Sequence, residues 1–292
     1  MRFDHWADDA NQKLLTELEL FKGKLSTDIR DGIVFPAFRQ RNICFYANGR
    51  KLFDFDGKKF KTHPAFAIAY ETEPEENYVD EEKLKTLKLS DKFVESYEQI
   101  KRNTKLYLGP ESAAVAKFCE RFSCFKSDIQ SEVVVLDVEL SLESLEKKGK
   151  RDQIDLVLLN QKEKKIRFFE VKLFGDERLR PKKDKPAEVV GQLERYNMQI
   201  RNEKVQGELL AWYQQYIEIL NSVFKINLCR PDSLDESVDL LLWGADKAQW
   251  NSFEKTKKDI EDLEGESYAS WIKDVSNVKD TTLTSKWWQR RR

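Results

Sequence analysis

Histidine is scarce in this chain, with only His5 and His63 among 292 residues. A mechanism that needs a histidine pair as base and metal ligand is therefore poorly supplied. Cysteine is almost as sparse. Cys44, Cys119, Cys124 and Cys229 are scattered and form no CxxC pair, which argues against zinc-ligand spacing and against a disulfide framework. They read as reduced thiols in a cytoplasmic protein. No apolar run is long enough to span a bilayer and no apolar signal segment stands at the N-terminus, so no membrane partner is expected. An excess of charge of one sign is also missing. Lys and Arg number 51 against 52 Asp and Glu, for a formal net charge of -1. The total thus decides nothing about a nucleic-acid partner, and local distribution must be read instead.

Charged residues make up 35% of the chain and aromatic residues 12%. That pairing suits a globular protein with a true core, since a disordered chain lacks the Phe and Trp. The charge is patterned. Glu71 to Glu82 is acidic and has linker composition, whereas Arg178 to Lys185 and the tail from Lys286 to Arg292 are basic.

Periodicity predicts an amphipathic helix from Asp8 to Arg30, with Leu14, Leu15, Leu18 and Phe21 or Leu25 on its apolar face. Alternating segments follow from Ile43 to Tyr46 and from Lys51 to Phe55, joined by Asn48-Gly49, a strong hairpin signal. Asp56-Gly57 predicts a second turn, and a charged helix is expected up to about Arg102. Gly109-Pro110 then breaks the chain ahead of a helix from Glu111 to Phe122, with Val115, Phe118 and Phe122 facing inward. Strands are predicted over 132–140, 154–159 and 166–173, helices over 187–201 and 208–224, and a strand over 238–243. The remainder reads as helical. The fold class is α/β, a mixed central sheet flanked by helices with an N-terminal α+β module. The expected domains are 1–105 for that module, with a recognition or dimerisation role, 106–245 for the core, and 246–292 for a helical extension.

The residues that carry chemistry lie on two central strands. Asp155 opens IDLVLL, and Glu170 and Lys172 stand near the end of IRFFEVKL. Side chains at i and i+2 of a strand share a face, so Glu170 and Lys172 point the same way. If the two strands form a hairpin, Asp155 comes close to Glu170 across the ladder. Two carboxylates and an ammonium suit phosphodiester hydrolysis, because carboxylate oxygens hold Mg²⁺ and a lysine orients or helps to deprotonate the attacking water. The bland alternative is an exposed Glu-x-Lys pair on a surface strand.

The string RDQIDLVLLNQKEKKIRFFEVKL resembles the core of the PD-(D/E)xK, or restriction-endonuclease-like, nuclease superfamily. The resemblance covers roughly Gly109 to Trp243, with Ile154 where the family often has Pro. It implies a restriction-endonuclease-like core, with Asp155, Glu170 and Lys172 as catalytic residues and Mg²⁺ or Mn²⁺ as cofactor. The helix VVGQLERYN carries Gln192 and Tyr196, one turn apart, and resembles the Q-x-x-x-Y helix of several branches. There the pair positions a strand near the metal, whereas its bland role is a hydrogen bond plus packing. The family also places a Glu on the helix before the first core strand. Glu111 fits by facing and Glu120 does not, although Glu111 also suits a helix N-terminus as a plain charge. The implied ligand set is Glu111, Asp155 and Glu170. The four cysteines do not match the set that holds an iron–sulfur cluster in some branches.

The loop after Lys172 carries Arg178, Arg180, Lys182 and Lys183, placed to contact phosphates or else forming a solvated face. Aromatics and cations interleave from Ile43 to Lys61, a pattern that suits base stacking and equally suits packing against the first helix. Trp287-Trp288 with Arg290 to Arg292 suits either nucleic-acid contact or docking of the terminus. The expected activity is metal-dependent cleavage of DNA, endonuclease rather than exonuclease, in restriction, defence or repair. RNA is an alternative substrate and a homodimer an expected state. The rival reading is a nuclease-fold module that binds nucleic acid or a protein without cutting.

Overall fold

The computed structural model describes residues 4–68, 78–86, 92–126, 131–144, 150–183, 185–244, 273–274, 283–284 and 288–289. The chain divides into two compact units: Met1–Ile129 with Trp212–Leu228, and Gln130–Ala211 with Cys229–Arg292. The expected boundaries are 105 and 245; here the chain passes from one unit to the other after Ile129, back within a long helix after Ala211, and again after Leu228.

In the first unit the predicted N-terminal helix is interrupted. It forms α1 (Asp4–Ala7), α2 (Asp9–Glu17) and, after a π-helical stretch at Phe21–Leu25, α3 (Ser26–Arg30). Asp8 caps α2 by accepting from the Ala10 N–H, and Leu18, extended at φ -63 and ψ 136, ends it. That break changes the apolar face. Leu15 is buried, while Leu14, expected inward, is 43% exposed. A four-stranded antiparallel meander follows: β1 (Val34–Phe38), β2 (Ile43–Ala47), β3 (Arg50–Phe55) and β4 (Phe60–Lys61). Sequence reading missed β1, whose Pro36 weakens the strand signal. Pro is tolerated there because β1 is an edge strand.

Asn48 and Gly49 turn the β2–β3 hairpin with φ 51 and 67, as a two-residue hairpin loop requires. A side chain at Gly49 would also meet the Ser112 backbone at 2.2 Å. Then come α4 (Pro64–Ile68), α5 (Glu81–Thr86), α6 (Phe93–Thr104) and α7 (Pro110–Phe122). Phe45, Phe53, Phe55 and Phe60 are buried and make ring contacts with one another and with Phe93 and Tyr97. The interleaved aromatics are therefore core, and the stacking alternative for them falls.

The second unit is built on a mixed sheet in the order β5-β6-β7-β8-β9. Its strands are β5 (Val133–Glu143), β6 (Arg151–Asn160) and β7 (Lys165–Leu173), all antiparallel, then β8 (Ser233–Trp243) and the two-residue β9 (Lys273–Asp274), both parallel to their predecessors. Helix α8 (Glu188–Ile200) and the start of α9 (Glu203–Phe224) lie in the connection from β7 to β8, which is the long crossover that parallel strands need. Asn197 on α8 accepts the Val238 N–H through its Oδ1 at 2.8 Å, tying the helix to β8. Val134, Leu136, Leu156, Leu158, Phe168, Phe169, Leu240 and Leu242 are fully or almost fully buried.

The helical extension predicted over 246–292 falls mostly outside the described residues, and the pair 273–274 is strand. Trp288 is buried. Its ring stacks against the Arg167 guanidinium at 4.5 Å and its carbonyl accepts from Arg167 Nη1, so at this position the tail docks. Trp287 and Arg290 to Arg292 lie outside the described residues. Among the described residues no helix is long and apolar enough to cross a membrane.

Candidate active site

The register of β5, β6 and β7 sets the geometry of the site. Leu156 pairs with Phe169, and one step further along the antiparallel ladder Asp155 faces Glu170. Strand pairing stops there, and the Asp155 side chain takes over the backbone bond. Its Oδ2 accepts the Val171 N–H at 2.7 Å. Lys172, on the same face as Glu170, donates to Glu170 Oε1 and, at 3.3 Å, to the Val171 carbonyl. Glu170 and Lys172 are each only 2% exposed. Burying such a pair is costly even when it is well formed, and titratable groups held at that cost concentrate at functional sites.

Further bonds to Glu170 and to β6 come from α8. Gln192 Nε2 donates to Glu170 Oε1 at 2.7 Å and reaches Tyr196 Oη at 2.8 Å. Tyr196 in turn donates to the Gln153 carbonyl on β6 at 2.7 Å. One face of α8 thus holds one oxygen of Glu170 and fastens itself to the strand that carries Asp155. The other oxygen, Oε2, is buried without a hydrogen-bond partner.

Proton affinities follow from this arrangement. Burial, and then the neighbouring Asp155 charge, push Glu170 up to about 8, with Lys172 and Gln192 pulling the other way. Burial also raises Asp155; the Val171 N–H and Lys172 oppose it, and the Glu139 charge adds to it. Tyr196 is lifted to about 12 by burial and by Glu170, so its hydroxyl stays protonated and able to donate.

The structure brings Asp155, Glu170, Lys172, Gln192 and Tyr196 together. Glu111 belongs to the other unit, in the first turn of α7; Glu120 is on the same helix and exposed. In the basic loop, Arg178 is held by Asp176, with Nε at 3.0 and 3.1 Å from its two oxygens, and Lys182 pairs with Glu188 at 2.8 Å. Arg180, Lys183 and Lys185 are exposed and pair with no acidic side chain among the described residues. Sequence reading singled out no residue on β5. Yet Glu139 stands across from Asp155, with φ 51, and an acid inside the apolar run VVVLDVEL was the available signal.

Asp155 and Glu170 are the residues that could hold a cation. Hard carboxylate oxygens, one of them buried and unsatisfied, fit Mg²⁺ or Mn²⁺ in donor type. Among the described residues, no three or more His, Cys, Asp or Glu side chains are gathered closely enough to hold a metal ion as they stand. Comparison with protein-family models, with curated proteins and with solved structures finds no match for this chain.

Proposed function

We propose that this chain is a metal-dependent nuclease of the PD-(D/E)xK type, cutting DNA as an endonuclease in restriction, defence or repair. The observation that carries the reading is the junction of Asp155, Glu170 and Lys172 where the two central strands β6 and β7 part, with the first two facing each other and the third bonded to the second. Three antiparallel strands, a helical crossover and a parallel strand support it as well, since that order is what the resemblance implies for the core.

A bound divalent cation supplies Lewis-acid polarisation of the phosphoryl oxygen and lowers the pKa of water. Asp155 and Glu170 are the residues that would hold it. Lys172 Nζ, a fixed ammonium in a dry setting, stabilises negative charge that develops on the attacked phosphate and orients the attacking water. Gln192, held by Tyr196, fixes one oxygen of Glu170 and so limits the carboxylate to one orientation. Arg180, Lys183 and Lys185 follow directly after the catalytic strand and supply exposed cations for the phosphate backbone.

The test is cleavage of plasmid, linear duplex, single-stranded and branched DNA, and of RNA, with Mg²⁺ or Mn²⁺, comparing wild type with Lys172→Ala. Metal-dependent cutting that falls by roughly 10²–10³ in the variant supports the reading and identifies the substrate class. Binding by both proteins with cutting by neither replaces it with a non-catalytic nuclease-fold module.

A further inference from the structure

We infer that Glu139 on β5, rather than Glu111, is the third carboxylate of this site and a ligand for the divalent cation. The inference rests on the proposed nuclease reading. It starts from register. Val138 pairs with Leu156 and Leu140 with Ile154, so Glu139 faces Asp155 from one side as Glu170 faces it from the other. By register the three acids fall in a single row across β5, β6 and β7, while their side chains as they stand are not gathered closely enough to hold an ion. Residues directly opposite in an antiparallel pair point to the same face, with Cβ atoms about 5 Å apart, and carboxylates on that spacing can close on one ion.

Such a row is costly without a cation, because like charges directly opposite destabilise a sheet. Lys172 answers Glu170, while Asp155 has an acid opposite it on either side. The independent sign of a missing ligand is Glu170 Oε2, which is buried and has no hydrogen-bond partner. A cation between Asp155 and Glu170 satisfies that oxygen and relieves both repulsions. The Glu139 side chain, half-buried and at the rim of the row, completes the set by a change of rotamer. Its left-handed backbone, φ 51 in mid-strand, is unusual for a residue with a long side chain.

Mn²⁺ binding to the metal-free protein separates the candidates, measured by titration calorimetry and by loss of the free-ion paramagnetic resonance signal. Wild type is expected to bind Mn²⁺. Glu139→Gln should bind it roughly ten-fold more weakly or worse, and Glu111→Gln should bind as wild type does. Glu139→Asp, which keeps the charge but shortens the reach, should fall between and stands in if the Gln variant does not fold. Wild-type affinity in both Glu139 variants overturns the inference while leaving the nuclease reading intact, as does a loss confined to Glu111→Gln. If wild type takes up no Mn²⁺, the inference and the nuclease reading fall together.

Discussion

Lys172 and Glu170, two residues apart on β7, close an ion pair that is almost entirely withdrawn from water. Removing one partner leaves the other buried without its counter-charge, which typically costs roughly 3–5 kcal/mol. Lys172→Met should therefore lower the stability of the metal-free protein by an amount in that range at pH 9, above the value of about 8 that burial gives Glu170, and by less at pH 7, read from urea unfolding. The double variant Lys172→Met with Glu170→Gln should recover part of the loss. Equal, additive losses in the double-mutant cycle would mean that the two side chains do not act as a pair.

Tyr196 is argued to act through Gln192, and its hydroxyl bridges Gln192 to the Gln153 carbonyl. Tyr196→Phe keeps the ring in its packing and removes only that bridge. The stability cost should be about 1 kcal/mol, with cleavage falling several-fold through kcat and little change in KM. A variant as active as wild type would leave Tyr196 a packing residue.

Much of this site was legible because strands have a simple period. Glu170 and Lys172 at i and i+2 had to share a face, and the polar turn between β6 and β7 had to return Glu170 to Asp155. Asn48-Gly49 fixed a hairpin for the same local reason. What was illegible depends on long-range packing. Nothing near Leu18 signals that the helix ends there, and periodicity alone kept Leu14 on the inner face. Pro36 hid β1 because its tolerance depends on which side of the sheet is open. Arg178 and Lys182 counted as free cations until the fold paired them with Asp176 and Glu188.

Asp80 gives a pH dependence of known sign. The Lys59 ammonium, and then the Lys83 N–H that Asp80 accepts at 3.1 Å, hold its carboxyl below the ordinary value. A folded pKa below the unfolded one means that the unfolded chain binds more protons as the pH falls. The stabilisation is present above about pH 4 and is lost as the pH drops through the depressed folded value. Asp80→Ala, which also removes a bond to the first turn of α5, should cost about 1 kcal/mol at pH 7. Thermal unfolding of both proteins from pH 7 down to pH 3 should show the difference shrinking. A difference that stays constant would place the effect of Asp80 outside its ionised state.

The basic loop divides its cations into two kinds, and salt dependence tells them apart. Arg178 and Lys182 already hold Asp176 and Glu188, whereas Arg180, Lys183 and Lys185 are exposed to solvent. Each phosphate contact releases counterions and steepens the fall of log affinity with log salt by about 0.9 on duplex DNA. If the proposed nuclease reading holds, replacing Arg180, Lys183 and Lys185 by Ala should weaken duplex binding and flatten that slope by roughly 2–3, with thermal stability hardly altered. Arg178→Ala should do the reverse, loosening the loop around Asp176 while leaving the slope within about half a unit of wild type. Fluorescence anisotropy across a salt series, in Ca²⁺ or EDTA to prevent cutting, measures both. A slope that flattens with Arg178→Ala and not with the triple variant would assign the phosphate contacts to the paired cations, requiring the Asp176 and Glu188 bridges to open when DNA binds.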